Sequence, residues 1–237
     1  MTAVAVEIAV QDPAGARIAR DAGATRIELC AGLSATGGLT PSAATLAQCA
    51  QILETHVLIR TRPGGFCYSD EEISIMADDI ARAVALGAHG VVIGAALADN
   101  SLDTVALRRL IAAAGDAQVT LHRVFDVVPD RQHALRVARD LGITRILTSG
   151  GFPKAPEGAA ELAALVAASN GVQIMAGGGI SPETVDALKT TGVHAVHGSC
   201  SKFIDCGPTG PGGGAADPVQ VTDAEAVRSL VANIARW

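Results

Sequence analysis

Eight short apolar runs alternate with stretches of helical spacing along this chain, and that alternation leaves few folds open. The runs cover residues 3–9, 26–30, 57–62, 90–97, 119–125, 145–148, 172–176 and 195–199. Each is only strand-long, rich in Val, Ile, Leu or Ala, and bounded by turn residues, as buried parallel strands are. Eight such units in 237 residues match a closed (β/α)8 barrel, the TIM-barrel architecture. An open doubly wound sheet is the alternative. In the barrel, the residues that end the strands converge on one rim, where chemistry is done.

The helix starts support the same count. Asp12-Pro13 and Thr40-Pro41 read as a cap followed by proline, and Ser69 with Glu72 as a capping box. Ser181-Pro182-Glu183 reads as the seventh helix start and Thr222 as the last cap. Helices are expected over about 102–114, 130–141 and 157–168 as well. No boundary divides residues 1–237, so one domain is expected. Its low-complexity stretch, 207–216, is Gly/Pro-rich and reads as a mobile loop after strand eight.

Composition excludes several partners. A formal net charge of −6 with lysine only at 154, 189 and 202 is no nucleic-acid footprint. No apolar stretch reaches the roughly 18 residues of a membrane span. No basic segment leads into a hydrophobic one at the start, so a cytoplasmic protein is expected. Five cysteines at irregular spacing, without a CxxC pair, read as reduced thiols and not as disulfides or a structural zinc site.

Alternation along each strand sorts the endings by direction. Glu28 and Cys30 share one face, opposite Ile27 and Leu29; Arg60 and Arg62 share one face, opposite Val57 and Ile59. Helices cover the outside, so the polar set faces the barrel axis, with Glu7, His122, His197 and Ser199. Arg123 has the opposite parity to His122 and anchors the rim. Buried charges must pair, so a Glu7/Glu28/Arg60/Arg62/His122 network is expected. It is either a structural ion network or a site for a small anion. Paired arginines suit a carboxylate or phosphate, and Glu28 with His122 are the acid/base candidates. Gly177-Gly178-Gly179 after run seven suits backbone binding of phosphate, with Ser149 and its glycines adding donors. No strand carries a lysine, which disfavours Schiff-base chemistry. GxGxxG, GxxxxGK[ST] and GxSxG are all missing, so no nucleotide cofactor and no serine elbow are expected.

Cys30, Cys67 and Cys200 belong on the same rim, with Met175 on run seven. Soft ligands of this kind select Cu(I); the other reading is small buried hydrophobes. Cys49 reads as helix packing, and Cys206 falls at the edge of the Gly-rich loop.

Residues 23–30 (GATRIELC), 37–42 (GGLTPS), 66–70 (FCYSD), 120–126 (TLHRVFD), 145–150 (RILTSG) and 175–179 (MAGGG) together resemble the CutC family of copper homeostasis proteins. The likeness runs to about residue 201. It implies a cytosolic TIM barrel, Cu(I) binding and a homo-oligomer. By motif it points to Glu28, Cys30, Arg60, Arg62, His122, Arg123, Asp126 and His197. One departure is visible: the family pattern Arg-Pro-Arg-Gly-Gly-Asp reads Arg60-Thr61-Arg62-Pro63-Gly64-Gly65 here, without the acid. Three functions stand side by side: a copper-binding homeostasis protein, an isomerase or lyase for a small anion, and a non-catalytic scaffold or sensor.

Overall fold

Strong β-formers at alternate positions become eight parallel strands: β1 (Ala5–Val10), β2 (Arg26–Leu29), β3 (Thr55–Leu58), β4 (Gly90–Ile93), β5 (Gln118–Leu121), β6 (Arg145–Thr148), β7 (Gln173–Gly177) and β8 (Ala195–Gly198). They close in chain order, β8 pairing with β1, into a (β/α)8 TIM barrel. The structure is a computed structural model and describes residues 3–207 and 218–237.

Helices wrap the outside. Asp12 caps α1 (Pro13–Asp21) by accepting the Gly15 amide at 2.7 Å, with proline in the first turn. A short turn, α2 (Leu33–Thr36), precedes α3 (Ala43–Cys49), capped by Ser42. The expected start at Thr40 slips because the Thr40 hydroxyl instead accepts the Arg60 amide at 2.9 Å. The Ser69/Glu72 capping box opens α4 (Asp70–Ala85) as expected. Aspartates cap α5 (Thr104–Ala114) and α6 (Arg131–Asp140). A 3-10 turn over Ala155–Gly158 leads into α7 (Ala159–Ala168).

The seventh unit departs from expectation. Ser181-Pro182-Glu183 starts no α-helix, and only a 3-10 turn, Val185–Leu188, follows. Thr184 takes the Ser181 amide at 2.9 Å and donates to the Gly179 carbonyl, side-chain bonds that compete with a helical turn. After β8, an antiparallel ribbon joins β9 (Ser201–Ile204) to β10 (Val219–Thr222). Thr222 therefore ends a strand, and Asp223 caps α8 (Ala224–Ile234). Of the Gly/Pro-rich stretch 207–216, all but Gly207 lies outside the described residues.

Strand parity sets the two layers. Val57, Ile59, Ile27, Leu29, Val91 and Ile93 face the helices and join the main core. Inside the barrel two small apolar clusters remain, Cys30–Leu58–Val92 and Leu147–Met175–Ala195. The remaining interior is polar and charged, and it leads up to the rim. Among the described residues, no helix is long and apolar enough to cross a membrane.

Candidate functional site

The C-terminal ends of the strands surround a cavity of about 340 Å³. Glu28, Arg60, His122, Arg123, His197 and the turn Gly178–Gly179–Ile180 contribute to its wall.

Its floor begins with strand register. Glu7 on β1 sits level with Arg26 on β2 and with His197 on β8. Arg26 Nε donates to Glu7 Oε2 at 2.5 Å, and His197 Nδ1 lies 2.8 Å from Glu7 Oε1. The other ring nitrogen, Nε2, lies 3.4 Å from Glu28 Oε2. One imidazole thus bridges two buried carboxyl groups. Burial alone would raise the Glu7 carboxyl, but the His197 bond and the Arg26 charge outweigh it and hold it well below the usual range. Among the described residues Glu28 has no arginine partner. Burial pushes its carboxyl up to about 7, with His197 opposing and the Glu7 charge assisting. Burial pulls the His197 imidazolium down, but the Glu28 and Glu7 carboxylates more than restore it, leaving its pKa raised.

Across the rim, His122 caps the 3-10 turn Arg123–Asp126 with its side chain. Its Nδ1 accepts the Val124 amide at 3.0 Å. That bond assigns the proton of the neutral ring to Nε2. Burial and the nearby Arg60 charge push the imidazole pKa down to about 3, so the ring stays neutral at ordinary pH. Nε2 is buried and has no partner among the described residues. The Phe66 ring packs against it, centroid to centroid 4.7 Å. Gly94 on the neighbouring strand end makes room: a Cβ there would sit 2.2 Å from His122 Cε1.

The arginines take different places. Arg60 is buried, its guanidinium donating to the carbonyls of Thr36, Gly38 and Gly64 at 2.8–3.0 Å. Arg123 is fixed by Asp126 at 2.6 Å and by Ser149 at 2.8 Å. Asp126 also accepts the Thr148 hydroxyl and the Ser149 and Gly151 amides. Asp126 and Ser149 therefore brace the wall from behind it. Gly177 lies under the turn, where a Cβ would strike Leu147. Ser199 reaches the cavity.

The expected five-residue network divides. Glu7 and Glu28 meet through His197, with Arg26 as the cation, while Arg60 and His122 stand apart. Arg62 is outside the wall: it pairs with Glu72 of the α4 capping box and lies over the Tyr68 ring at 4.9 Å. Proline and glycines directly after it turn the chain out of strand geometry, so parity no longer governs its direction.

Three buried residues escaped the sequence reading, which weighed strand endings and not beginnings. They are Arg26, His56 and Arg145, the last donating to Gln173, Thr120 and Gln118. Arg26 shares parity with Glu28 two residues on, a signal present in the sequence.

The thiols scatter. Cys30 is buried, its thiol directed at the Val10 carbonyl 3.8 Å away; Cys200 is buried and Cys67 exposed. Among the described residues, no group of three or more His, Cys, Asp or Glu is placed to hold a metal ion.

The fold recurs in proteins of distant sequence, such as phosphoribosyl anthranilate isomerase from Thermus thermophilus, 16% identical, with a TM-score of 0.62 over 98% of this chain and 99% of that one. Nearer matches are specific. A solved structure from Streptococcus agalactiae, named as a candidate copper homeostasis protein CutC, is 32% identical. It superposes with a TM-score of 0.77 over 83% of this chain and 98% of that one. The family protein CutC of Rhizobium meliloti (strain 1021) is 44% identical over 204 residues, 85% of this chain and 83% of its own. That of Agrobacterium fabrum is 42% identical over 236 residues, 94% of each chain. The CutC family model matches residues 4–202, which carry all eight barrel strands and every wall residue above, and the chain belongs to the CutC family.

Proposed function

We propose that this barrel moves a proton at a carbon next to a carbonyl group in a small anionic substrate, as an isomerase or lyase. The carrying observation is a pairing across one rim. Glu28 has its carboxyl held near neutrality, and His122 is neutral with an unpartnered Nε2–H. The Glu28 carboxylate takes the α-proton, and the C–H electron pair moves onto the carbonyl oxygen. His122 Nε2–H then donates to that oxygen as negative charge develops there. A neutral imidazole suits this role, because it stabilises the oxyanion without first surrendering its proton. In an isomerase the substrate carries a hydroxyl on the α-carbon: Glu28 returns its proton to the former carbonyl carbon, the α-hydroxyl proton passes to the former carbonyl oxygen, and the α-carbon becomes the new carbonyl. In a lyase, the electron pair instead expels a leaving group. Phe66 shifts to admit the substrate oxygen, and the new bond relieves a buried donor that costs about 1–3 kcal/mol when unmade.

Deuterium uptake from D2O into pyruvate, oxaloacetate and dihydroxyacetone phosphate, read by proton NMR, tests the chemistry. At least one should exchange, and Glu28→Gln should abolish the exchange. Exchange that survives Glu28→Gln, or a panel that never exchanges, rejects the assignment.

A copper homeostasis role attaches to this chain through the name of its Streptococcus agalactiae relative. Copper(I) as cargo calls for thiolate donors. Burial and the Glu28 charge push the Cys30 thiol far up, and burial with Glu183 and Asp223 pushes Cys200 up to about 11. Cys67 stands exposed. Among the described residues no group of three or more His, Cys, Asp or Glu is placed to hold a metal ion, so we read a copper role here as running through something other than a thiolate centre in the barrel. In titrations against a competing Cu(I) chelator, Cys30→Ala, Cys67→Ala and Cys200→Ala should leave the affinity unchanged. A loss of about tenfold (1.4 kcal/mol) in any of them would reinstate the thiol site. The protein works in the cytoplasm as a homo-oligomer, as the family likeness implies; light scattering reads the assembly.

A further inference from the structure

Two donor-bearing corners face each other across the rim, and each keeps N–H groups without an acceptor among the described residues. In a closed ring of eight strands, β3 and β7 are diametrically opposed, as are β1 and β5. Arg60 follows β3, and Gly178–Gly179–Ile180 follows β7. The acid–base groups lie on the crossing diameter: Glu28 and His197 flank β1, while His122 follows β5.

Arg60 is 8% exposed, yet no carboxylate pairs with it among the described residues. Its guanidinium donates to three carbonyls and lies over the Phe66 ring at 5.6 Å, and among the described residues its buried Nε has no hydrogen-bond partner. A buried charge without a counter-charge is costly, and an anion in the cavity would offset that cost. One free N–H in an enclosed corner suits a small planar carboxylate.

The opposite corner is wider and richer in donors. Gly178 and Gly179 take φ of +103° and +68°, backbone that favours glycine, and with Ile180 they line the cavity. The amides of Gly178, Gly179 and Ile180 have no acceptor among the described residues. Among the described residues Arg123 Nη1 makes no hydrogen bond, and that atom would lie 3.1 Å from a Cβ on Gly178. Three amides and a braced guanidinium suit a tetrahedral phosphate.

We propose that the substrate is a short carbon chain with phosphate at one end and carboxylate at the other. Phosphate sits at Gly178–Ile180 and Arg123, carboxylate at Arg60, and the reacting carbon between Glu28 and His122. This rests on the proton-transfer reading for what happens in the middle, but the two corners can be measured without it.

Calorimetry with methyl phosphate, glycolate, 2-phosphoglycolate, 3-phosphoglycerate and 4-phosphonobutanoate tests the span. One of the three linked probes should bind at least about tenfold more tightly than methyl phosphate, as joined anions do when the span fits. Arg60→Met should remove that gain and leave methyl phosphate unchanged. Arg123→Met should weaken methyl phosphate and leave glycolate unchanged. Gly178→Ala, which fills the amide turn and keeps every charge, should repeat the Arg123→Met result if that variant fails to fold. No gain for any linked probe, or equal weakening of all probes by both arginine variants, overturns the proposal. A protein that shows this profile but exchanges no deuterium loses the proton-transfer reading and keeps the two-anion site.

Discussion

At Gly94 one hydrogen decides whether His122 can occupy its place. The imidazole lies where a methyl group would be, so Gly94→Ala must displace the ring or the strand end. Overpacking of this kind costs about 1–3 kcal/mol. The site consequence is sharper: the Val124 bond that fixes the His122 tautomer would be lost. Turnover by Gly94→Ala should fall far more than its stability does, and equal losses would argue that the ring position is immaterial. The donor role of His122 makes its own forecast. His122→Gln keeps an N–H and should retain part of the activity, while His122→Ala should lose about 10²–10³-fold in kcat, as removal of an oxyanion donor does. If the two variants are equally impaired, hydrogen-bond donation by Nε2 is the wrong role. Glu28 acts as a base only when ionised, so kcat/KM should rise with pH through about 7. Glu28→Gln should flatten that limb.

Among the elements, α4 connects packing to the site most visibly. Ser69 caps it, and Glu72 returns to the Ser69 amide at 2.8 Å while pairing with Arg62. Ser69→Ala should cost about 1 kcal/mol in urea unfolding and leave activity intact, because Arg62 stands outside the cavity wall. A large activity loss would return Arg62 to the site. The same helix shows what a sequence discloses. Its capping box, its apolar spacing and its closing Gly87 are all local, and local signals gave the start of α1 equally well. Elements governed by competition were hidden. Thr40 and Ser181 look like helix-start residues, but the Thr40 hydroxyl accepts the Arg60 amide and the Thr184 hydroxyl takes the Ser181 amide. Nothing local could have paired β9 with β10 across the Gly/Pro-rich segment, since register between distant strands is a tertiary property. For the site, parity placed Glu7, Glu28, Arg60, His122 and His197 correctly inside. It could not say who pairs with whom, and Arg26 proved to be the cation that Glu7 uses.

The barrel as a whole closes at the β1–β8 seam, and the titrating cluster sits on that seam, with Glu7 level with His197. Global stability should therefore follow the protonation of these groups. Glu7 has its carboxyl depressed when folded, so its contribution is present above its ordinary value of 4.5 and is lost as pH falls below it. Glu28 runs the other way. Its carboxyl is raised to about 7, so the folded state holds a proton that the unfolded chain has released. Stability should then decline as pH climbs from about 4.5 to about 7. His197, with its pKa raised by the two carboxylates, adds a loss as pH passes upward through its folded value. The opposed slopes place maximum stability near about pH 5, on the acid side of neutrality. Urea unfolding across pH 4 to 8 would show the midpoint peaking there. In Glu28→Gln the decline toward neutral pH should flatten, since no carboxyl remains to be ionised in a buried setting. Glu7→Gln should do worse from pH 5 to 8, by about 3–5 kcal/mol, because it strands the buried Arg26 charge beside the seam. A wild-type midpoint that rises steadily from pH 5 to 8 would mean that Glu28 ionises freely, and the carboxyl poised near neutrality for proton transfer would be lost with it.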